Sequence, residues 1–255
     1  MSRSHLGRTI AAGLCLMFGA SAAQAGTSPD DWNFTLTPYI WVPGIDGNVK
    51  IPRDANIADS TFPITKTNVL NALNFAAMLS FEARKGDWSL YTDFDYVDLG
   101  FDKTAPTQFV LKGKEEFTGW LFELAGSYTM WRSSSASHID ILAGGRYLST
   151  NNDVTLNLGD HQFKFSADKD FTDAILGVKG EARLGDEGHW FIPFYADIGG
   201  GSSNHNWLAY AGVGYAFGWG DLFLNYRYLE YQPGKSSPID EFKLYGPVLG
   251  ASFHF

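Results

Sequence analysis

The stretch Lys243-Leu244-Tyr245-Gly246-Pro247-Val248-Leu249-Gly250-Ala251-Ser252-Phe253-His254-Phe255 separates, on taking every second residue, into two unlike faces. One is Tyr245, Pro247, Leu249, Ala251, Phe253 and Phe255; the other is Leu244, Gly246, Val248, Gly250, Ser252 and His254. A period of two is the mark of a β-strand. The last residues of a water-soluble domain usually fray. An apolar face that finishes on Phe255 makes sense where it meets lipid and the ring sits at the membrane boundary. Taken alone, one alternating segment fits the last strand of a soluble sandwich equally well, and the rest of the chain has to decide.

Working back, the same alternation recurs in residues 32–42, 72–84, 88–101 and 117–131, in a segment starting at His138 and one ending at Leu184, and in residues 189–200, 206–218 and 221–231. The connections alternate in length. Lys85-Gly86-Asp87, residues 133–137, residues 185–188 and Trp219-Gly220 are tight turns on one side. The links on the other side are longer, except residues 202–205. Pro43-Gly44 and Asp46-Gly47 are expected to end the first strand, with an irregular segment through Asn71 and a short helix over residues 65–73. A polar loop is expected over residues 102–114, a hairpin over residues 153–166 turning at Gly159-Asp160, and a Pro/Gly/Ser loop over residues 232–240.

An even set of strands, short turns on one side and long loops on the other, is the pattern of an outer-membrane barrel. The segments exceed the usual soluble strand and suit a tilted membrane crossing. Trp88, Trp131, Trp190, Phe217, Trp219 and Phe255 all fall near the short-turn ends, as an aromatic girdle requires. The expectation is an all-β fold, a closed antiparallel up-and-down transmembrane β-barrel of about ten strands. Its short turns and C-terminus would face the periplasm and its loops the exterior.

Composition agrees. The chain has 255 residues, enough for one large β domain. It is acidic, with net charge -9 and no basic run, which excludes nucleic acid as a partner. A mean hydropathy of -0.14 fits a membrane barrel, because lipid-facing and lumen-facing residues cancel. Arg3 and Arg8, the apolar run 10–23 and Ala23-Gln24-Ala25 read as an export signal over residues 1–25, with the barrel domain over residues 26–255. The sole cysteine, Cys15, lies inside that run, and Ala12-Gly13-Leu14 ahead of it do not make a lipid-anchor site. The barrel domain therefore has no disulfide or thiol chemistry. No cofactor fingerprint or metal-ligand spacing is present, so none of either is expected.

The opening Thr37-Pro38-Tyr39-Ile40-Trp41-Val42-Pro43-Gly44-Ile45-Asp46-Gly47 resembles small bacterial outer-membrane β-barrel proteins of a mostly uncharacterised family, porin- or OmpA-like in architecture. So do Gly212-Val213-Gly214-Tyr215, Tyr226-Arg227-Tyr228-Leu229-Glu230-Tyr231 and Gly246-Pro247-Val248-Leu249-Gly250. The resemblance covers nearly all of residues 26–255. It implies the barrel and its location, and carries no defined activity.

The inward faces collect charge: Glu82, Arg84, Asp93, Asp95, Glu123, Asp140, Arg146, Lys179, Glu181, Arg183, Asp197 and Arg227. Unpaired buried charges are costly, so these groups are expected to pair across a narrow lumen, either as a filled interior or along a path for small solutes. Nearer the exterior, Tyr39, Trp41, Val97, Leu121, Leu148, Leu229 and Tyr231 point inward. Phe62, Ile64, Leu70, Val154, Leu156, Leu158, Phe163 and Phe165 would cover that mouth as an apolar vestibule, or else pack on their own loops. Tyr245, Phe253 and Phe255 read as a C-terminal insertion signal.

The expected partners are outer-membrane lipid, lipopolysaccharide and barrel-assembly machinery, and the chain is expected to be a monomer. Its expected role is structural or limited small-solute passage, without enzymatic activity. The alternatives are a surface adhesin or a rim hydrolase. A hydrolase would draw on Asp98, Asp102, His161, Ser202, Ser203 and His205, which form no recognisable acid–His or Ser–His motif.

Overall fold

The computed structural model describes residues 31–50, 61–66, 72–106, 110–134, 136–158, 161–185, 187–234 and 239–255. The expected leader, residues 1–25, lies outside them. Twelve antiparallel strands form one sheet. They are β1 (Trp32–Trp41), β2 (Gly44–Lys50), β3 (Thr61–Lys66), β4 (Leu73–Lys85), β5 (Trp88–Pro106), β6 (Val110–Arg132), β7 (His138–Leu158), β8 (His161–Leu184), β9 (Trp190–Gly201), β10 (His205–Phe217), β11 (Gly220–Gln232) and β12 (Ile239–His254).

Neighbours run β1-β4-β5-β6-β7-β8-β9-β10-β11-β12, and β1 pairs back onto β12. That pairing closes a ten-stranded up-and-down barrel and leaves no free edge in its wall. The hairpin of β2 and β3 stands on the outer end of β12 and extends the wall. No helix among the described residues is long and apolar enough to cross a membrane, and the crossing is made by strands.

Several sequence expectations need correction. β1 does end just before Pro43-Gly44, at Trp41, but no turn follows: Val42 N–H donates to the Pro247 carbonyl at 3.1 Å, and the chain resumes on β12 as β2, with Gly44 opposite Tyr245 and Asp46-Gly47 inside the strand. Pairing with the free length of β12 outweighs the local turn preference. The helix expected over residues 65–73 is shorter than that: Thr65 and Lys66 lie in β3 and Leu73 in β4, whereas Ala72 is helical, and residues 67–71 lie outside the described part.

Where a polar loop is expected over residues 102–114, residues 102–106 and 110–114 pair as a ribbon, with Asp102 opposite Lys114 and Pro106 opposite Val110; residues 107–109 lie outside the described part. The 153–166 hairpin is likewise a continuation of β7 and β8, with Asp153 opposite Ser166 and Leu158 opposite His161. Its turn, Gly159-Asp160, lies outside the described residues. At about 3.4 Å per residue a β6 or β8 strand of 23 or 24 residues far exceeds a hydrocarbon layer of about 30 Å, even when tilted. These four strands therefore continue beyond the crossing as a sheet.

The two faces of the wall differ as the alternation requires. Ile40, Leu176, Leu224 and Leu249 are exposed on the outside, whereas Leu142, Leu208 and Leu229 are buried on the inside. Trp88, Trp131, Trp190, Phe217, Trp219 and Phe255 stand exposed at the short-turn ends, as a girdle does. A bulge between Thr129 and Trp131 shifts the register there, so Met130 and Trp131 both face outward while Thr129 stays buried. A soluble sandwich would hide these aromatics and expose the charges, which is the reverse of what is found.

Candidate functional site

Alternation along the staves, interrupted by register shifts at Leu73–Phe75, Thr129–Trp131 and Ile239–Glu241, sends one set of side chains into the lumen, where they fall into three layers. The middle layer is built on two arginines. Arg227, between inward-facing Asn225 and Leu229 on β11, meets Asp93 at 3.0 Å and Asp95 at 3.1 Å. Tyr39 on β1 completes the group: its hydroxyl donates to Asp93 at 2.6 Å and Asp95 at 2.8 Å and accepts from Arg227 at 3.0 Å. Arg146 on β7 pairs with Glu123 at 2.8 Å and with Asp197, and donates to the Asn206 amide oxygen at 2.8 Å. Tyr195 donates to the other Glu123 oxygen. Asn206 in turn donates to Asp173 at 2.8 Å, which also accepts the Ser203 backbone N–H at 2.8 Å. Buried charge is tolerable only when paired and hydrogen-bonded in this way.

Outward of this layer lies a dry one. Trp41, Leu121, Leu148, Phe171, Leu208, Leu229 and Tyr231 form one buried cluster, with Leu229 and Tyr231 at 0% exposure. Trp41 joins the two layers, its ring 4.6 Å from the Arg227 guanidinium. The apolar vestibule expected here is therefore a packed layer. Val97 belongs to a separate group with Ala72, Leu99 and Phe117. The side chains of Phe62, Ile64, Leu70, Val154, Leu156, Leu158, Phe163 and Phe165 lie outside the described part.

At the short-turn end the lumen widens into a cup of about 310 Å³. Its charges are again paired. Glu82 meets Lys179 and Arg84, each at 2.7 Å. Arg84 also contacts Asp140, which accepts from Thr129 at 2.8 Å. Arg183 pairs with Glu181 and lies over the Phe191 ring. His254 bonds Asp221 at 2.8 Å through Nε2 and Thr35 at 3.1 Å through Nδ1.

Each charged residue read from the sequence thus lies on the inner wall with an ionic partner. Asp173, Asp221, Asn206 and Tyr195 are further members that the sequence reading left out, and Tyr39, read as an inward residue of the mouth, belongs to the arginine layer. Asp173 shares the parity of Ile175 and Lys179, and Asp221 that of Asn225 and Arg227, which is the signal that would have found them.

The C-terminal aromatics sit on the outer surface. Tyr245 stacks on Tyr228, Phe253 packs on Trp219, and Phe255 stacks on Phe34.

At the exterior rim, the Ser203 hydroxyl accepts from Asn206 at 3.3 Å and the Ser202 hydroxyl from the Thr172 N–H at 2.6 Å. Asp98 accepts from Asn74 at 3.1 Å, and His205 lies 3.4 Å from Asn204. These contacts assemble no acid–His or Ser–His pair from the described rim residues, and the side chains of Asp102 and His161 lie outside the described part. No group of three or more potential metal ligands occurs among the described residues.

Comparison of the coordinates with solved structures gives the same architecture. The outer-membrane protease OmpT from Escherichia coli is similar at a TM-score of 0.52 and 8% identity, over 91% of this chain and 99% of that one. The chain folds as an outer-membrane β-barrel. The barrel also matches the translocator domain of the autotransporter NalP from Neisseria meningitidis, at a TM-score of 0.46 and 10% identity over 91% and 90% of the two chains. It matches the attachment invasion locus protein Ail of Yersinia pestis at 0.35 and 11%, over 89% and 99%. No family model and no curated protein matches the sequence. At such identities the likeness speaks for the fold. The closed barrel with an exposed apolar outer face points to the bacterial outer membrane.

Proposed function

We propose that this barrel is a sealed structural element of the outer membrane, passing at most small solutes and carrying a sheet of β5 to β8 outside the bilayer. The observation that supports it is the sealing of the lumen by two unlike layers in series. Arg227 and Asp93 bridge the lumen at 3.0 Å, and Leu229 and Tyr231 have no exposed surface just beyond them. Water and ions would have to part an ion cluster and then cross a packed apolar layer. Lipid contact, including lipopolysaccharide at the outer leaflet, delivery by barrel-assembly machinery and a monomeric state complete the reading. The purified protein in planar bilayers is expected to show no discrete conductance steps. Stable single-channel steps would overturn the sealed lumen.

A second reading, surface adhesion, is favoured by the length of β5 to β8, which exceeds what a crossing needs. A variant with residues 102–114 and 153–166 replaced by tight turns would keep the barrel wall and lose any host-surface binding. Unchanged binding by the trimmed barrel would remove this reading.

A further inference from the structure

We propose that the periplasm-facing cup is a binding site for a neutral, polyhydroxylated solute of the saccharide class. The volume of about 310 Å³ lies at the small end of ligand sites. A smaller pocket of about 40 Å³ continues inward from it to Tyr39, Asp93 and Arg227, and the fully buried Leu229 and Tyr231 lie beyond.

Charge selects against ions. The cations of the lining, Arg84, Lys179 and Arg183, are each already paired with Glu82 or Glu181, and Asp221 holds His254. A charged ligand would have to break one of these pairs and strand the partner away from bulk water, which is costly. What the wall still offers is neutral hydrogen bonding. Thr37 and Ser252, whose hydroxyls bond each other at 2.9 Å and so keep one O–H of the pair to donate, line one side with Ser80, and Asn225 lines the cup from β11.

The same wall carries flat aromatic surface. Phe191 lies over Gly214 and Phe223 over Gly250, so closely that a Cβ on either glycine would sit 2.2 or 2.3 Å from the ring. The missing side chains let both rings lie against the wall; Arg183 covers the Phe191 face, and the half-buried Phe223 ring is the one left toward the cavity. A purely apolar solute would leave the Ser80 hydroxyl and the spare O–H of the Thr37–Ser252 pair without a partner. A flexible diol would leave the Phe223 face uncovered. A sugar ring, with hydroxyls at its edge and C–H bonds on its faces, satisfies both.

The test uses the whole protein in lipid nanodiscs, titrated with glucose, maltose, glucose 6-phosphate and glucosamine by calorimetry and saturation-transfer NMR. Saturable binding of glucose or maltose is expected, with the charged analogues weaker by about tenfold or more. Phe223→Ala and Ser80→Val are each expected to weaken the neutral sugar by about tenfold, with the second serving if the first does not fold. Absence of saturable binding by all four probes, or equal binding of glucose 6-phosphate and glucose, would overturn the site. Swelling of proteoliposomes in the same sugars reads the sealed lumen separately: swelling would end that reading and leave the cup standing.

Discussion

Arg227 and Asp93 meet at 3.0 Å although they stand on nearly opposite walls, β11 and β5, with β12, β1 and β4 between them one way and β6 to β10 the other. The contact is a spoke across the lumen. Lys179 on β8 and Glu82 on β4 form another at 2.7 Å, nearer the short-turn end. Spokes of this kind couple staves that share no backbone hydrogen bond. They hold the lumen narrow and penalise any slip of register, because a slip of one residue would turn the charges toward lipid.

Removing one end of the spoke should therefore cost far more than a surface ion pair. Arg227→Leu strands Asp93 and Asp95 in the interior, and a loss of about 3–5 kcal/mol is expected. Adding Asp93→Asn and Asp95→Asn should recover most of that loss, since the uncompensated charge is the source of the penalty. Urea unfolding in phospholipid vesicles checks both. A neutral single substitution would show that the pair is hydrated and the lumen open.

Two seals in series make a distinct prediction for conductance. Leu229→Ser with Tyr231→Ser wets the outer layer, yet the arginine layer beneath still blocks the lumen, so bilayers should remain silent. Adding Arg146→Ser and Arg227→Ser should produce steps. Conductance from the first variant alone would place the whole barrier in the apolar layer.

The wall was legible in the sequence because period two is local: Phe34, Leu79, Leu124 and Leu224 declare their face through their neighbours. Strand ends beyond the membrane were not. Gly44-Ile45-Asp46-Gly47 and residues 110–114 look like turn and loop, and they are paired because β12 and β5 offer partners that no local pattern reveals. The same limit applied to the lumen. The parity of Arg146 and Asp197 could be read, but their meeting depends on the barrel's curvature, and so did the recruitment of Asn206, Asp173 and Tyr39.

Phe191 needs Gly214 to be bare. A Cβ there would sit 2.2 Å from the ring, while one on lipid-side Gly126 meets nothing within 4 Å. Gly214→Leu should push the ring into the cup and cost about 1–3 kcal/mol by overpacking. Phe191→Ala should relieve part of that cost in the double variant. Gly126→Leu should fold normally. The measurement is unfolding in vesicles, with equal stability of the two glycine variants as the contrary outcome.

Leu224 and Leu249 are cross-strand partners on the outer face of β11 and β12, exposed at 52% and 59%. Their position, midway between the girdle at Trp219 and the outer tyrosines Tyr228 and Tyr245, places them in the middle of the hydrocarbon. Leu224→Lys should cost about 2–4 kcal/mol in a bilayer, whereas the same change at girdle residue Trp219 should cost about 0–1 kcal/mol from the charge itself. Equal costs at the two depths would remove the lipid face.

The terminal residue closes the seam. Phe255 N–H donates to the Phe34 carbonyl at 3.0 Å, Phe34 N–H donates to the Phe255 carbonyl at 2.8 Å, and the two rings stack at 6.0 Å. Deleting Phe255 removes both backbone bonds and leaves Phe34 N–H and C=O without partners at the membrane boundary, where unsatisfied groups are expensive. Phe255→Ala removes only the ring. If the seam is what matters, the alanine variant inserts into vesicles almost as fast as the parent and the deletion lags. If the ring is itself read during assembly, both variants fail in cells while the alanine variant still folds into vesicles unaided. Measuring outer-membrane yield beside vesicle insertion separates the two, and normal behaviour of the deletion in both would show that the terminal aromatic closes nothing.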